Sequence, residues 1–365
     1  MVLSLGRGAF PVMIGECKRD IGLPPPTRAG FLYALAGVMA VTGRTDVMAV
    51  VWLSSAASVM SLLLLARIAW RFLNPLAAVF ALSFYAVSSL PLMTGRRAWQ
   101  DATVEMLTLC LILAGAEIVS GARHWARLLA FTIAGAACIT MKEMPALIFA
   151  VLSAGVLAAL WQQRSSGKKF LLFSVFWIAS VGAALCWLTY LLGDARLLLK
   201  YPAMTSTFLS ISPYSIAYES GTTLDLVHGM WIVSPLATVC FPLGVIALRR
   251  SEFPAANANR MIAAALAGLT LLLTAAALAV PHHLNFRYLC PAFGPFYLIA
   301  GLGLNWAAAA LSEQLRHSEK PFFAAGIAVV LVASAVSDYE TFQRRFVATQ
   351  LQDLSIKMVL GMKNN

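Results

Sequence analysis

The side chains in this chain that could do chemistry fall at the ends of apolar runs. Arg96, Arg97 and Asp101 stand between one apolar run ending at Met93 and another beginning at Ala102. Asp101 follows Arg97 by four positions, so on one helix the two would share a face and could pair. Glu105 continues that face one turn deeper, inside the second run. Two readings are open. The charges are either an interfacial ion pair that fixes a helix end, or the polar floor of a cavity, where ionisable groups at membrane depth usually lie. Lys142 and Glu143 join two apolar runs with almost no loop. They read as a tight hydrophilic turn or as a lysine placed to bind phosphate as a point charge. Arg287 and Tyr288 stand just before the run that starts at Leu289. An arginine can grip a phosphate through two parallel hydrogen bonds, and a tyrosine adds a hydroxyl donor. The alternative is a headgroup-binding arginine beside an aromatic-belt tyrosine. His282 and His283 are adjacent, so on a helix they point in different directions, and no third ligand accompanies them; zinc is a poor reading there. The sequence identifies no cofactor, and a divalent metal stays open.

The elements that must position these residues are set by composition. Of 365 residues, 60% are hydrophobic and 12% charged, against roughly a quarter charged in a soluble domain. The apolar residues come in runs of roughly 17–23, long enough to cross about 30 Å of hydrocarbon as helix. The runs are continuous rather than alternating, which excludes a β-barrel pattern. The fold class expected is therefore all-α: a polytopic helical membrane protein with about ten transmembrane helices, outer-face loops and interfacial helices. The spans are placed at 46–70, 74–93, 101–120, 127–141, 144–161, 170–192, 231–248, 261–280, 288–310 and 321–337. Residues 1–45 form an external segment with an interfacial helix, because Phe31 to Val41 is apolar but too short to span. Residues 46–337 form the helical bundle, with a long external loop at 193–230, and 338–365 form an external C-terminal tail. Long loops are often lids or binding loops.

The net charge of +11 does not argue for nucleic acid. Arg67, Arg71, Arg127, Lys168, Lys169, Arg249, Arg316 and Lys320 lie in short loops that fall on one side if the spans alternate, which makes that side the cytoplasm. Asp101, Lys142 and Arg287 then share the opposite, outer face. The six cysteines show no CxxC spacing, and all but Cys17 lie in apolar runs, so they read as small buried hydrophobes.

Several stretches, taken in order, resemble the GT-C superfamily of membrane glycosyltransferases. They are Pro24-Pro25-Pro26 with Phe31-Leu32-Tyr33 and Gly43; Arg97 to Asp101; Thr140-Met141-Lys142-Glu143; and Arg287-Tyr288-Leu289-Cys290-Pro291. They are similar to the proline segment, the (R)xxxD helix start, the TK(G/E) turn and the RYLxP helix start of glycosyltransferase family 39, the branch of protein O-mannosyltransferases and the lipid A aminoarabinose transferase. The resemblance implies transfer of a hexosyl or pentosyl group from a polyprenyl-phosphate donor to a lipid, glycan or protein acceptor. The site would lie on the outer face of the plasma (inner) membrane, among membrane lipids. It also implies that Arg97, Lys142, Glu143, Arg287 and Tyr288 bind substrate and that Asp101 holds the second acidic position of the site. The family's first helix and first acidic loop motif have no counterpart here, so the expectation is that the native N-terminus lies upstream and that the chain as given is inactive. Rival readings are a transporter or lipid flippase, or a non-catalytic GT-C relative. Spans nearly free of charge, with charges gathered at one face, favour surface chemistry over passage.

Overall fold

The computed structural model describes residues 29–97, 100–121, 125–141, 143–162, 167–192, 196, 223–249 and 285–348. Within them the chain forms α1 (Ala29–Thr42), α2 (Val47–Phe72), α3 (Pro75–Val87), α4 (Ser89–Arg96), α5 (Asp101–Val119), α6 (Trp125–Met141), α7 (Glu143–Gln162) and α8 (Gly167–Leu192). There follow α9 (Thr223–Val233), α10 (Pro235–Arg249), a 3-10 turn at Phe286–Leu289, α11 (Cys290–Glu313) and α12 (Lys320–Phe342), which runs into a π-helical turn at Gln343–Ala348. Six helices are long and apolar enough to cross a membrane, or up to eight if each of two bent pairs is one span. This is the polytopic helical bundle expected. The predicted span 261–280 lies outside the described residues.

Local chemistry explains where the helices start. Asp46 caps α2 by accepting from the Met48 N–H at 3.1 Å, and Asn74 caps α3 by accepting from the Ala77 N–H at 2.7 Å. Such caps satisfy N–H groups that have no intrahelical partner. Pro75 at the start of α3 lacks an N–H where none is needed.

Two expected spans are broken. The run 74–93 divides into α3 and α4, bent by 55° at Ser88, and the run 231–248 is preceded by α9, which meets α10 at 117° across Ser234. Proline causes both breaks. Pro91 would collide with the carbonyl of Val87 in a continuous helix, and Ser234 precedes Pro235, which disfavours helical backbone at the serine. The last span also differs from expectation. It does not stop at 337: α12 carries Asp338 and Phe342 on buried positions, and Phe346 beyond it is buried too.

The bundle is organised around α5 and α11, whose apolar stretches are the most enclosed of the long helices, 72% and 56% buried. Lipid is as apolar as leucine, so helices in a membrane associate by close packing rather than by leaving water. Glycine permits that approach here. A Cβ on Gly303 of α11 would run into the Cys240 carbonyl oxygen of α10, and a Cβ on Gly244 of α10 would run into the Ile299 carbonyl oxygen of α11. Around this core, apolar side chains such as Leu63, Leu171, Ile178, Phe322 and Val329 are exposed, as expected of a surface that faces hydrocarbon. The short helix α1 packs against α2 and α6.

Candidate functional site

Asp101 opens α5, and its side chain is fully buried. Its partner comes from 186 positions away: Arg287 Nε donates to Asp101 Oδ2 at 2.8 Å. Arg287 lies in the 3-10 turn that leads into α11. That turn is fixed at its start by Asn285, whose side-chain oxygen accepts from the Arg287 backbone N–H at 2.9 Å. Phe286 beside it is fully buried, and its ring presses on Gly229 of α9, where a Cβ would collide. Below this pair, α5 and α11 pack together with Gly294 against Leu109. The beginnings of α5 and α11 therefore lie side by side. Two helix N-termini and a guanidinium meet there, a combination that suits an anionic group.

Arg287 keeps 24% of its side chain exposed while Asp101 keeps none. The carboxylate is thus the buried anchor and the guanidinium the part that reaches outward. This arrangement orients a bidentate anion-binding group. It differs from the Arg97–Asp101 helical pair expected from the spacing. Arg97 follows the end of α4 in extended conformation, and Asp101 begins the next helix, so the two are not on one helix. Arg97 is half-buried near the same helix start, and exposed Arg96 lies over the Phe342 ring at 5.4 Å.

Glu105 is buried one turn below Asp101, as the spacing predicts. Its carboxyl faces the Tyr85 hydroxyl, which in turn faces Ser61, and it lies against the Gly294 backbone. Glu105 Oε1, Tyr85 Oη and Ser61 Oγ are buried without a hydrogen-bond partner among the described residues.

Lys142 lies outside the described residues, as do His282 and His283. Glu143 begins α7 and Tyr288 lies in the 3-10 turn, but their side chains are outside the description. Of the loop 193–230, Arg196 and 223–230 are described, the latter forming most of α9. Gly30 on α1 closely approaches Thr140 on α6. Among the described residues, no group of three or more His, Cys, Asp or Glu could hold a metal ion.

Glu117, at the other end of α5, escaped the sequence reading. Arg71 Nε lies 3.2 Å from its Oε1 and Arg127 Nε 2.5 Å from its Oε2. Both arginines read as loop charges on one side, and the Glu117 carboxylate binds them together. At 1.5 Å per residue, this cluster lies about 24 Å along the helix from Asp101. Asp338 also escaped, because an acidic residue after a long apolar run reads as the first residue of a tail.

Two solved structures share this architecture. The chain is similar to ArnT from Cupriavidus metallidurans in the apo state, with 13% identity and a TM-score of 0.54 over 94% of this chain and 64% of that one. It is similar to the same protein bound to undecaprenyl phosphate, with 13% identity and a TM-score of 0.55 over 94% of this chain and 65% of that one. The chain thus spans slightly less than two thirds of the length of either. At this identity the likeness is one of fold: a helical membrane bundle. No family model matches the sequence, and no curated protein matches it.

Proposed function

We propose that this protein is an integral membrane glycosyltransferase that moves a sugar from a polyprenyl-phosphate donor to an acceptor hydroxyl. The observation that carries the reading is the Asp101–Arg287 pair at the joined starts of α5 and α11, within a fold shared with a protein solved bound to undecaprenyl phosphate. In such a transfer the acceptor oxygen bonds to the sugar's anomeric carbon, the bond from that carbon to the phosphate breaks, and the hydroxyl proton passes to a base. Negative charge grows on the departing phosphate. A fixed cation stabilises that charge most when it does not have to reorganise. Arg287, held through Nε by a buried carboxylate, meets that requirement. Arg97 and Lys142 add positive charge near it on the proposed reading, and Glu143 and Tyr288 complete the donor contacts. Asp101 acts through Arg287; its engagement with the guanidinium argues against its serving as the base.

The bundle end that holds Asp101 faces outside the cytoplasm, and the end that holds Arg71, Glu117 and Arg127 faces the cytoplasm, in the plasma (inner) membrane. A polyprenyl tail lies in the bilayer, so its phosphate naturally arrives at the level of helix ends. The acceptor is a lipid, glycan or protein hydroxyl.

Transfer of sugar from a radiolabelled polyprenyl-phosphate donor, measured in proteoliposomes, tests this. Transfer above background that Arg287→Ala reduces at least tenfold supports it. Binding of undecaprenyl phosphate with no transfer to any acceptor class supports instead the non-catalytic relative. Neither binding nor transfer removes both.

A further inference from the structure

The two broken spans break at the same place. Ser88 ends α3 and Ser234 ends α9, and both serines are fully buried. Ser88 Oγ is hydrogen-bonded to the hydroxyl of Tyr297, a fully buried residue of α11. Ser234 Oγ donates to Asp338 Oδ2 of α12 at 2.9 Å. Ser89, the first residue of α4, donates to the Asp338 carbonyl oxygen at 3.3 Å. Asp338 is 1% exposed and faces Tyr297 as well. One small polar cluster therefore holds the start of α4, the start of α10, the middle of α11 and the end of α12. None of these residues is required to make a helix. Carboxyl and hydroxyl groups inside a bundle cost free energy unless they are satisfied; Asp338 Oδ2 is bonded to Ser234 while Oδ1 has no hydrogen-bond partner among the described residues, and the cluster lies where two spans would otherwise lose their relative placement.

What the cluster holds bears on the site. Down its length, α4 leads to Arg96 and Arg97. Back along the chain from Ser234, α9 carries Gly229, on which the Phe286 ring beside Arg287 rests. The carboxylate also sits at the N-terminal end of α10, where the helix dipole favours negative charge.

We propose that Asp338, with Ser234, Ser89, Ser88 and Tyr297, is a positioning cluster that fixes α4 and α9 and thereby sets Arg97 and Arg287 at the distance an anionic lipid headgroup requires. Asp338 touches no substrate; it acts through the two half-helices. The part that concerns the headgroup rests on the proposed function, whereas the holding of the two breaks does not.

The test uses the full chain in lipid nanodiscs, with backbone hydrogen exchange followed by mass spectrometry and undecaprenyl phosphate binding measured in parallel. Asp338→Ala should raise exchange at least tenfold in peptides covering 88–93 and 234–239, leave α6 and α7 unchanged, and weaken lipid binding about tenfold. Asp338→Asn keeps an acceptor for Ser234 and should restore most of both. Tyr297→Phe, which removes one hydroxyl and little packing volume, should raise exchange at 88–93 more than at 234–239. It serves where Asp338→Ala fails to fold. Unchanged exchange at both breaks in Asp338→Ala, or in Tyr297→Phe at 88–93, overturns the cluster, as does a uniform rise across the bundle. If the parent protein binds no undecaprenyl phosphate, the proposed function fails, and the exchange pattern still decides the cluster.

Discussion

The Asp101–Arg287 pair makes a quantitative prediction. Arg287→Ala takes from a fully buried carboxylate the guanidinium bonded to it at 2.8 Å. Breaking a buried pair by deleting one partner costs about 3–5 kcal/mol. Arg287 is partly exposed, so the lower end, about 3 kcal/mol, applies here. Asp101→Asn is milder: it removes the buried charge and keeps an acceptor for Nε, at a cost of about 1–2 kcal/mol. The double variant lacks the buried charge that Arg287 neutralised. Its total loss should therefore fall short of the sum of the two singles by about 2 kcal/mol, well above the roughly 0.5 kcal/mol scatter of independent sites. Detergent-solubilised protein, melted with a fluorescent thiol or tryptophan readout and titrated with denaturant, gives the three differences. Lipid binding gives a separate one. Arg287→Ala should weaken undecaprenyl phosphate binding by about ten- to a hundredfold, as expected of a lost charge-assisted hydrogen bond, and Arg287→Lys should restore only part of it, because lysine lacks the Nε donor and the planar fork. Additive losses in the double variant, together with unchanged lipid binding in Arg287→Ala, would refute the pair as an oriented phosphate group.

Other outcomes follow from the packing and from the charge distribution. Gly303→Val sets side-chain atoms against the Cys240 carbonyl and should cost about 3 kcal/mol or more, read as lost monodisperse protein on size-exclusion; Gly326→Ala, with open space around it, should be silent in the same assay. Glu117→Ala leaves Arg71 and Arg127 facing each other without their shared carboxylate. Because Arg71 is substantially exposed, the loss should be modest, about 1–2 kcal/mol, with Glu117→Gln intermediate and the melt shift smaller at high salt. For orientation, Arg44→Cys should react with a membrane-impermeant maleimide added outside intact cells, and Arg316→Cys should react only after permeabilisation; the reverse pattern inverts the proposed topology.

The sequence was most legible where physics is one-dimensional. Runs of apolar residues place α2, α5, α7, α8 and α11 to within a few positions, since crossing hydrocarbon demands length and composition and little else. Arg71 and Arg127 were assigned to one side by loop charge, and Glu117 binds them together at one end of α5. Where legibility failed, the determinants were either a single proline or a partner far away in sequence. Pro91 and Pro235 divide runs whose hydropathy is uninterrupted. Asp101 is visible as an acidic helix start, but no local pattern announces a hydrogen bond from Arg287, 186 positions away. Asp338 was misread for the same reason: its partners, Ser89 and Ser234, are 249 and 104 positions away.

The same comparison bears on why the polar residues sit where they do. A transporter that passes a solute through its middle needs polar groups near mid-span that can exchange partners. Here the two discontinuities do carry buried hydroxyls and a carboxylate, but Ser88 is bonded to Tyr297, and Ser234 to Asp338, across helices. Groups so engaged hold helices rather than release a solute. Arg287, which retains exposure, lies at the helix ends and not in the middle of the bundle. A lipid-borne phosphate needs no pathway through the protein, since its tail keeps it in the bilayer and brings the headgroup to that level. Chemistry at a helix end on a bundle fixed from within therefore accounts for both the broken spans and the oriented arginine, and passage through the bundle accounts for the broken spans alone.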